Sequence, residues 1–289
     1  MALIKQSKQS LKHPLKQSGF TLVELLMVII ILGIVGAGVT SFVNYSTRIY
    51  MDTTAVTQML SDSRFAMERI TREIRNAVPN SLRVKSADTF DCLEFMPIKT
   101  ASSYIVLSTF PEPASHTAQV FPATAPLVKD DNILVYPLTP KEVYSPVNVS
   151  GGKLYRLAKN AEPIADSPLL TLTFDKNVQF AEASPSKRFF AVSTPVSYCF
   201  INTRSSVNLY RYADYSIHDK QPAPNSMNMP SANGVLMAEN ITNNLADGKP
   251  IQLLSPTMVN NAMVVLTPEF EAMGTQFKYQ QQVQVINVP

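Results

Sequence analysis

The sequence predicts an α+β chain: one long N-terminal α-helix, a membrane half followed by an amphipathic half, packed on a C-terminal antiparallel β-sheet domain. Three observations predict it. Residues 20–43 are an apolar run with one charge, Glu24, behind a basic start that holds Lys5, Lys8, Lys12 and Lys16. Pro14 and Pro79 bracket a stretch without proline. From Asn80 onward the remaining prolines accumulate, with short β-rich runs between them. At 45% hydrophobic and 16% charged residues over 289 positions, the chain has the apolar content for a sizeable core and is not a disordered polyelectrolyte. The net charge of +3 comes from the basic start, so it does not signal a nucleic-acid partner.

At ~1.5 Å per residue the apolar run spans about 36 Å as a helix, enough to cross a ~30 Å hydrocarbon core. The upstream lysines place that side in the cytoplasm and the rest of the chain outside it. A secretory signal peptide could use Val35 and Ala37 as its cleavage site, but a carboxylate inside its apolar stretch fits poorly. A plain membrane anchor leaves Glu24 unpaired, at a cost of ~2.5 kcal/mol or more. A cut between Gly19 and Phe20 accounts for the acid. It creates an α-amino group, largely protonated at neutral pH, four residues before Glu24. A buried charge is tolerated when paired, and a neighbouring subunit's amine would supply the pair and fix the register of stacked helices.

Gly19-Phe20-Thr21-Leu22-Val23-Glu24-Leu25, set behind a basic leader, resembles the class III signal of type IV pilins and type II secretion pseudopilins. The resemblance implies a pilin-like fold, cleavage after Gly19 by a prepilin peptidase, N-methylation of Phe20, and an assembly salt bridge from Glu24 to the terminal amine of an adjacent subunit. It implies other partners too: other minor pilins and the major pilin, an inner-membrane assembly platform, and membrane lipid before assembly. The expected organisation is a leader over 1–19, a transmembrane or fibre-core helix over 20–43, its amphipathic half over 44–79 and a β-rich globular domain over 80–289.

In the amphipathic half, Val56, Leu60, Met67, Ile70 and Ile74 recur at helical spacing, with Ser63 in the series. Arg64, Glu68, Arg69, Arg72, Glu73 and Arg75 form the other face, with three i,i+4 charge pairs, and read as solvated. Pro79 disfavours helix at Val78. Gly33, Gly36 and Gly38 are either weak points of the apolar helix or a small-residue face for close helix contact.

Beyond Asn80, strands are expected at 90–96, 103–110, 133–137, 153–157, 169–174, 189–193, 196–201, 208–212, 262–266 and 277–288. The proline-rich segment 218–233 reads as a long surface loop. Leu154-Tyr155-Arg156 and Leu209-Tyr210-Arg211 form a weak repeat, a hint of two similar sheets or a coincidence. Ser197-Tyr198-Cys199-Phe200, Leu209-Tyr210-Arg211 and the stretch from Val235 to Ile241 resemble the large minor pilins and pseudopilins of the J/W type. Within that group, the stretch from Arg72 to Pro79 and the ending from Val283 to Pro289 resemble the MSHA pilus biogenesis family.

No nucleophile motif, phosphate-cradling loop or metal-ligand spacing stands in the sequence, so neither catalysis, a metal nor a cofactor is expected. Asp130-Asp131-Asn132 and Asp247-Gly248 read as turns rather than calcium ligands. Cys92 and Cys199 are either two buried thiols or, in an oxidising compartment, a disulfide closing a long loop. Tyr210, Arg211 and Tyr212 could contact a glycan or a base, although alternation puts the two tyrosines on one strand face, where core packing is the commoner use. The expected role is a minor pilin of an MSHA-type pilus, priming or capping assembly within a tip complex. The alternatives are a J-type pseudopilin of type II secretion and a tip adhesin. The expected location is the inner membrane, with a periplasmic domain, and then the pilus tip.

Overall fold

The computed structural model describes residues 19–204, 206–224, 234–254 and 262–285. Leader residues 1–18, the 225–233 part of the expected loop and residues 286–289 of the chain's ending lie outside the described residues. Contacts within the chain divide it into two units, residues 1–54 and 55–289.

The first helix, α1 (Leu22–Arg75), is a single 54-residue element that runs through both units. Thr21 starts it: its hydroxyl accepts the Glu24 N–H at 3.3 Å, and its carbonyl accepts from the Glu24 and Leu25 N–H groups. The last turn tightens, with the Asn76 and Ala77 N–H groups donating to the Glu73 and Ile74 carbonyls three residues back. Val78 N–H then reaches the Met96 carbonyl, so the chain leaves the helix directly into sheet hydrogen bonding.

In the first unit the described helix is exposed except at half-buried Asp52, and it is long and apolar enough to cross a membrane. The helix continues unbroken through Gly33, Gly36 and Gly38, and a Cβ at any of the three would meet open space.

In the second unit the strands, in chain order, are β1 (Arg83–Ala87), β2 (Phe90–Phe95), β3 (Ile98–Val106), β4 (Ser115–Val120) and β5 (Asn132–Leu134). After the short helix α2 (Pro140–Val143) come β6 (Leu154–Arg156), β7 (Glu162–Pro163), β8 (Leu170–Val178), β9 (Arg188–Val192), β10 (Val196–Asn202) and β11 (Val207–Tyr212). The last are β12 (Val235–Ile241), β13 (Ile251–Leu254), β14 (Met263–Leu266), β15 (Glu269–Ala272), β16 (Thr275–Lys278) and β17 (Gln281–Gln284). They form one sheet in the order β1-β2-β10-β11-β12-β15-β16, a second in the order β6-β5-β9-β3-β4-β8-β7, and a small third, β13-β14-β17. Among the described residues every strand pair is antiparallel, which gives the α+β fold of a long helix followed by a β domain.

Strand alternation divides the first sheet into two faces. Leu93, Phe95, Tyr198, Phe200 and Leu209 join Met67, Ile70 and Ile74 of α1 in one core, which the small sheet extends through Val264, Leu266 and Val283. Cys92, Cys199, Tyr210 and Tyr212 lie on the other face with Tyr215. The second sheet has its own core around Tyr155, Phe174 and Phe180.

Several expectations are corrected. The buried helix stripe is Met59, Ser63, Ala66, Met67, Ile70, Thr71 and Ile74, while Val56 and Leu60 are only half-buried. The segment expected at 103–110 is paired over Ile98–Val106, because residues 100–103 pair with β9 and Tyr104 and Val106 pair with β4. The single strand expected at 277–288 is two strands, β16 and β17, on different sheets. The expected surface loop is only partly on the surface: Asp219 and Lys220 are exposed, but Gln221, Pro222 and Pro224 are buried. The two prolines bring no N–H that would need a partner there.

Candidate functional site

Gly19 and Phe20 precede α1, and Phe20 is 71% exposed. Thr21 at the cap and Glu24 three positions later give the Thr-x-x-Glu spacing of a capping box, which holds Glu24 in the first helical turn. The positive end of the helix dipole favours a carboxylate there. Among the described residues no ion pair involves Glu24. Around it Leu22, Val23 and Leu25 are exposed, as are Ile29, Ile30 and Ile31 one to two turns on. The arrangement is an apolar helix carrying one acid in its first turn.

Cys92 and Cys199 are directly opposed on β2 and β10, with Cα atoms 4.1 Å apart, and form a disulfide across a sequence separation of 107. Tyr210, Arg211 and Tyr212 are consecutive on β11 and point to alternate sides. Tyr212 is buried with Tyr215 beside the disulfide, and Tyr210 packs at its margin. Arg211 faces α1, where its Nε donates to both Glu73 carboxylate oxygens at 3.0 and 3.2 Å. Glu73 also accepts from Arg69 Nε at 3.1 Å. The helix face read as solvated therefore contains a half-buried carboxylate that ties α1 to the sheet. Burial alone would lower the Arg211 guanidinium, but the hydrogen bond and charge of Glu73 hold it above its ordinary value. The buried Tyr198 phenol on the same face is pushed well up, by burial first and by the Glu73 carboxylate second.

A second polar group escaped sequence reasoning. Glu94 is fully buried, accepts from Arg83 Nε at 2.6 Å and from the Tyr215 hydroxyl at 2.9 Å, and Tyr215 also shares a 2.7 Å hydrogen bond with Ser197. Arg83 donates on to the His218 and Asp219 carbonyls and lies 3.5 Å from the centre of the Tyr144 ring. Burial first, and the Glu94 charge second, push the Tyr215 phenol far above its usual range. This network fixes residues 218–221 against the sheet, and Lys85 adds a bond to the Gln221 carbonyl. The signal was present in Phe90-Asp91-Cys92-Leu93-Glu94-Phe95, where two acids sit in an otherwise apolar strand and need partners once buried.

Asp130 and Asp131 form a turn. Asp131 accepts from Lys99 Nζ at 2.7 and 2.8 Å and from the Val128 N–H at 2.9 Å, which accounts for its carboxylate. The two Leu-Tyr-Arg copies occupy unlike places, β6 at a sheet edge and β11 in a sheet interior.

Residues 14–40 match the family model of the prokaryotic N-terminal methylation motif. That motif supports a type IV pilin-like or pseudopilin-like protein; it implies processing by a prepilin peptidase and assembly with other pilins, and together with the apolar helix it supports membrane anchoring. Neither the curated proteins nor the solved structures compared with this chain gave a match.

Proposed function

We propose that the chain is a large minor pilin that primes or caps a type IV pilus of the MSHA type as part of a tip complex. The observation that carries this reading is the methylation motif over 14–40, whose later part forms the start of α1, with Glu24 in the first turn and in no ion pair among the described residues. In the proposed assembly the chain is cut after Gly19 and Phe20 is methylated at its new amino group. Glu24 of this subunit then pairs with the terminal amine of a neighbour while the apolar residues that follow pass from lipid to a packed helical core. The minor role follows from bulk: a chain of 289 residues less its leader is large for the repeating unit of a thin fibre. The cysteine bridge suits a domain matured in an oxidising compartment such as the periplasm.

Intact-mass measurement on protein from a peptidase-positive and a peptidase-null strain tests the processing step. The first should lack residues 1–19 and carry one added methyl group; any other mature start removes the cation that Glu24 needs. Glu24→Ala should be processed normally yet be lost from sheared pili, and unchanged incorporation would show that the acid does not set assembly. Immunogold labelling is expected at fibre ends, whereas even decoration of the shaft would make this a major subunit. The same geometry serves a J-type pseudopilin, and deletion in a strain with both machines separates the two by whether piliation or secretion fails. The adhesin reading at Tyr210, Arg211 and Tyr212 is weaker, because Arg211 is engaged by Glu73 and Tyr212 is buried.

A further inference from the structure

Where α1 ends, the helix terminus, β3, β9 and the residue after β4 enclose an open groove of about 580 Å³. That lies within the ~300–1,000 Å³ of small-molecule sites. Arg75 of α1 and Arg188 of β9 line it, and its lining contains no carboxylate. Neither arginine takes part in an ion pair among the described residues. Phe190 is buried at the groove's floor, while Phe121 at its edge is 42% exposed.

The frame around these groups is fixed. Asn76 and Ile98 bond each other twice, the Ile98 N–H to the Asn76 carbonyl at 3.0 Å and the Asn76 amide to the Ile98 carbonyl at 3.0 Å. Ser102 donates to the Phe121 carbonyl at 3.0 Å, which holds the backbone that carries the exposed ring.

The charged and aromatic side chains of the lining set what the groove can recognise. Two guanidiniums without carboxylate partners provide planar forks for an oxyanion, best matched by a carboxylate. Phe121 provides a flat apolar face for a ring, and Ser103 lies in the same lining to meet a hydroxyl. Another large groove, beside Phe65, Val235 and Leu236, has Asp62 and Glu239 in its lining along with Arg69, whose Nε is bonded to Glu73, and suits an anion less well.

We propose that the groove formed by Arg75, Arg188, Ser103 and Phe121 binds an acidic carbohydrate, a pyranose bearing a carboxylate of the uronic-acid class. The guanidiniums hold the carboxylate, the ring rests on Phe121, and the selectivity is for acidic over neutral sugar. The proposal does not depend on the assembly role of the N-terminal helix.

The test is calorimetric titration of the full chain in detergent micelles with tetragalacturonate, a neutral galactose tetramer, tetraglutamate and inorganic phosphate. Tetragalacturonate should bind and the neutral tetramer should not. Arg75→Gln and Arg188→Gln should each weaken binding by about tenfold, the loss expected for one charge-assisted contact. Phe121→Ser should weaken the uronate as well, while Asp62→Asn should leave it unchanged. All four variants are exposed and should melt with the unaltered protein. Equal binding of the neutral tetramer, or undiminished binding by both arginine variants, would overturn the proposal. Tighter binding of tetraglutamate would reassign the groove to an acidic protein surface, and phosphate binding as tightly as uronate would reduce it to a bare anion site; either would also overturn it.

Discussion

The two parts of α1 share a backbone and differ in what surrounds their side chains. In residues 22–54 the isoleucines at 29, 30 and 31 are 60%, 50% and 57% exposed, whereas Ile70 and Ile74 in the second unit are 0% exposed. Fully burying such a side chain is worth ~1.5–3 kcal/mol, so the second part stabilises the domain and the first leaves its apolar surface for lipid or for other subunits. The patterns differ accordingly. Residues 20–43 are apolar all round, which no one-sided contact with a domain would need, while 59–74 are apolar on one stripe. The lesson is that the period of the apolar residues, more than their number, tells which half folds the protein.

The comparison breaks most visibly under truncation. Ile74→Ala should destabilise the domain by ~2–5 kcal/mol, as expected for a fully buried aliphatic side chain. Ile30→Ala should change it by less than ~0.5 kcal/mol. Urea unfolding followed by tyrosine near-ultraviolet circular dichroism suits a chain without tryptophan. Equal effects at the two positions would refute the division of labour.

Opening the Cys92–Cys199 bridge comes next in size. Cys92→Ala with Cys199→Ala should cost ~2–4 kcal/mol, because the bridge closes a long loop in the unfolded chain. The disulfide lies on the sheet face away from α1, so this cost should add to that of Ile74→Ala in the triple variant. Marked non-additivity would mean that helix docking and the bridge are one cooperative device.

Much of this was legible before any coordinates. The long helix follows from a proline-free stretch that begins apolar and ends striped, and the cores of most strands follow from β-branched and aromatic runs. What escaped was set by tertiary partners. β4 reads Ser-His-Thr-Ala-Gln-Val and is a strand because β3 and β8 flank it. The stripe was misplaced at its start because Met59 and Ala66, unremarkable alone, face the sheet while Leu60 turns partly away. Gly19, Phe20 and Glu24 lie close together within the methylation-motif match over residues 14–40, so their candidacy comes from the sequence alone. The groove at Arg75, Arg188 and Phe121 draws on residues far apart in sequence, and no spacing rule would have assembled it.

A smaller effect separates the charged seam from the apolar one. Glu73→Gln and Arg211→Ala should each destabilise the domain, and a double-mutant cycle should give a coupling of ~0.5–3 kcal/mol for this partly buried pair. Arg69→Ala should cost less, since Arg69 is more exposed than Arg211 and Glu73 keeps the Arg211 bond without it. Zero coupling between Glu73 and Arg211 would mean that this ion pair adds nothing to the docking of α1 on the sheet.

The smallest expected effect is the most selective in pH. Asp91 lies on the helix-side face of β2, fully buried, accepting from the Ser86 hydroxyl at 2.5 Å and the Ile251 N–H at 3.0 Å. Burial raises its carboxyl above the ordinary 3.8, against the opposing pull of those two bonds and of the Lys249 charge. A carboxyl with a raised pKa holds its proton more tightly in the folded state. Its contribution is therefore fully present below the unfolded value and is lost as pH rises through the folded one. Asp91→Asn can keep both contacts, the amide oxygen accepting from Ile251 and the amide nitrogen donating to Ser86, but it cannot titrate. Melting both proteins across acidic pH should show the advantage of the unaltered protein over the Asp91→Asn variant shrinking as pH rises from about 4, then levelling off once the folded carboxyl is ionised. A constant difference across that range would mean that the charge is as well accommodated inside the sheet as in water, and the two bonds at Asp91 would then fully offset its burial.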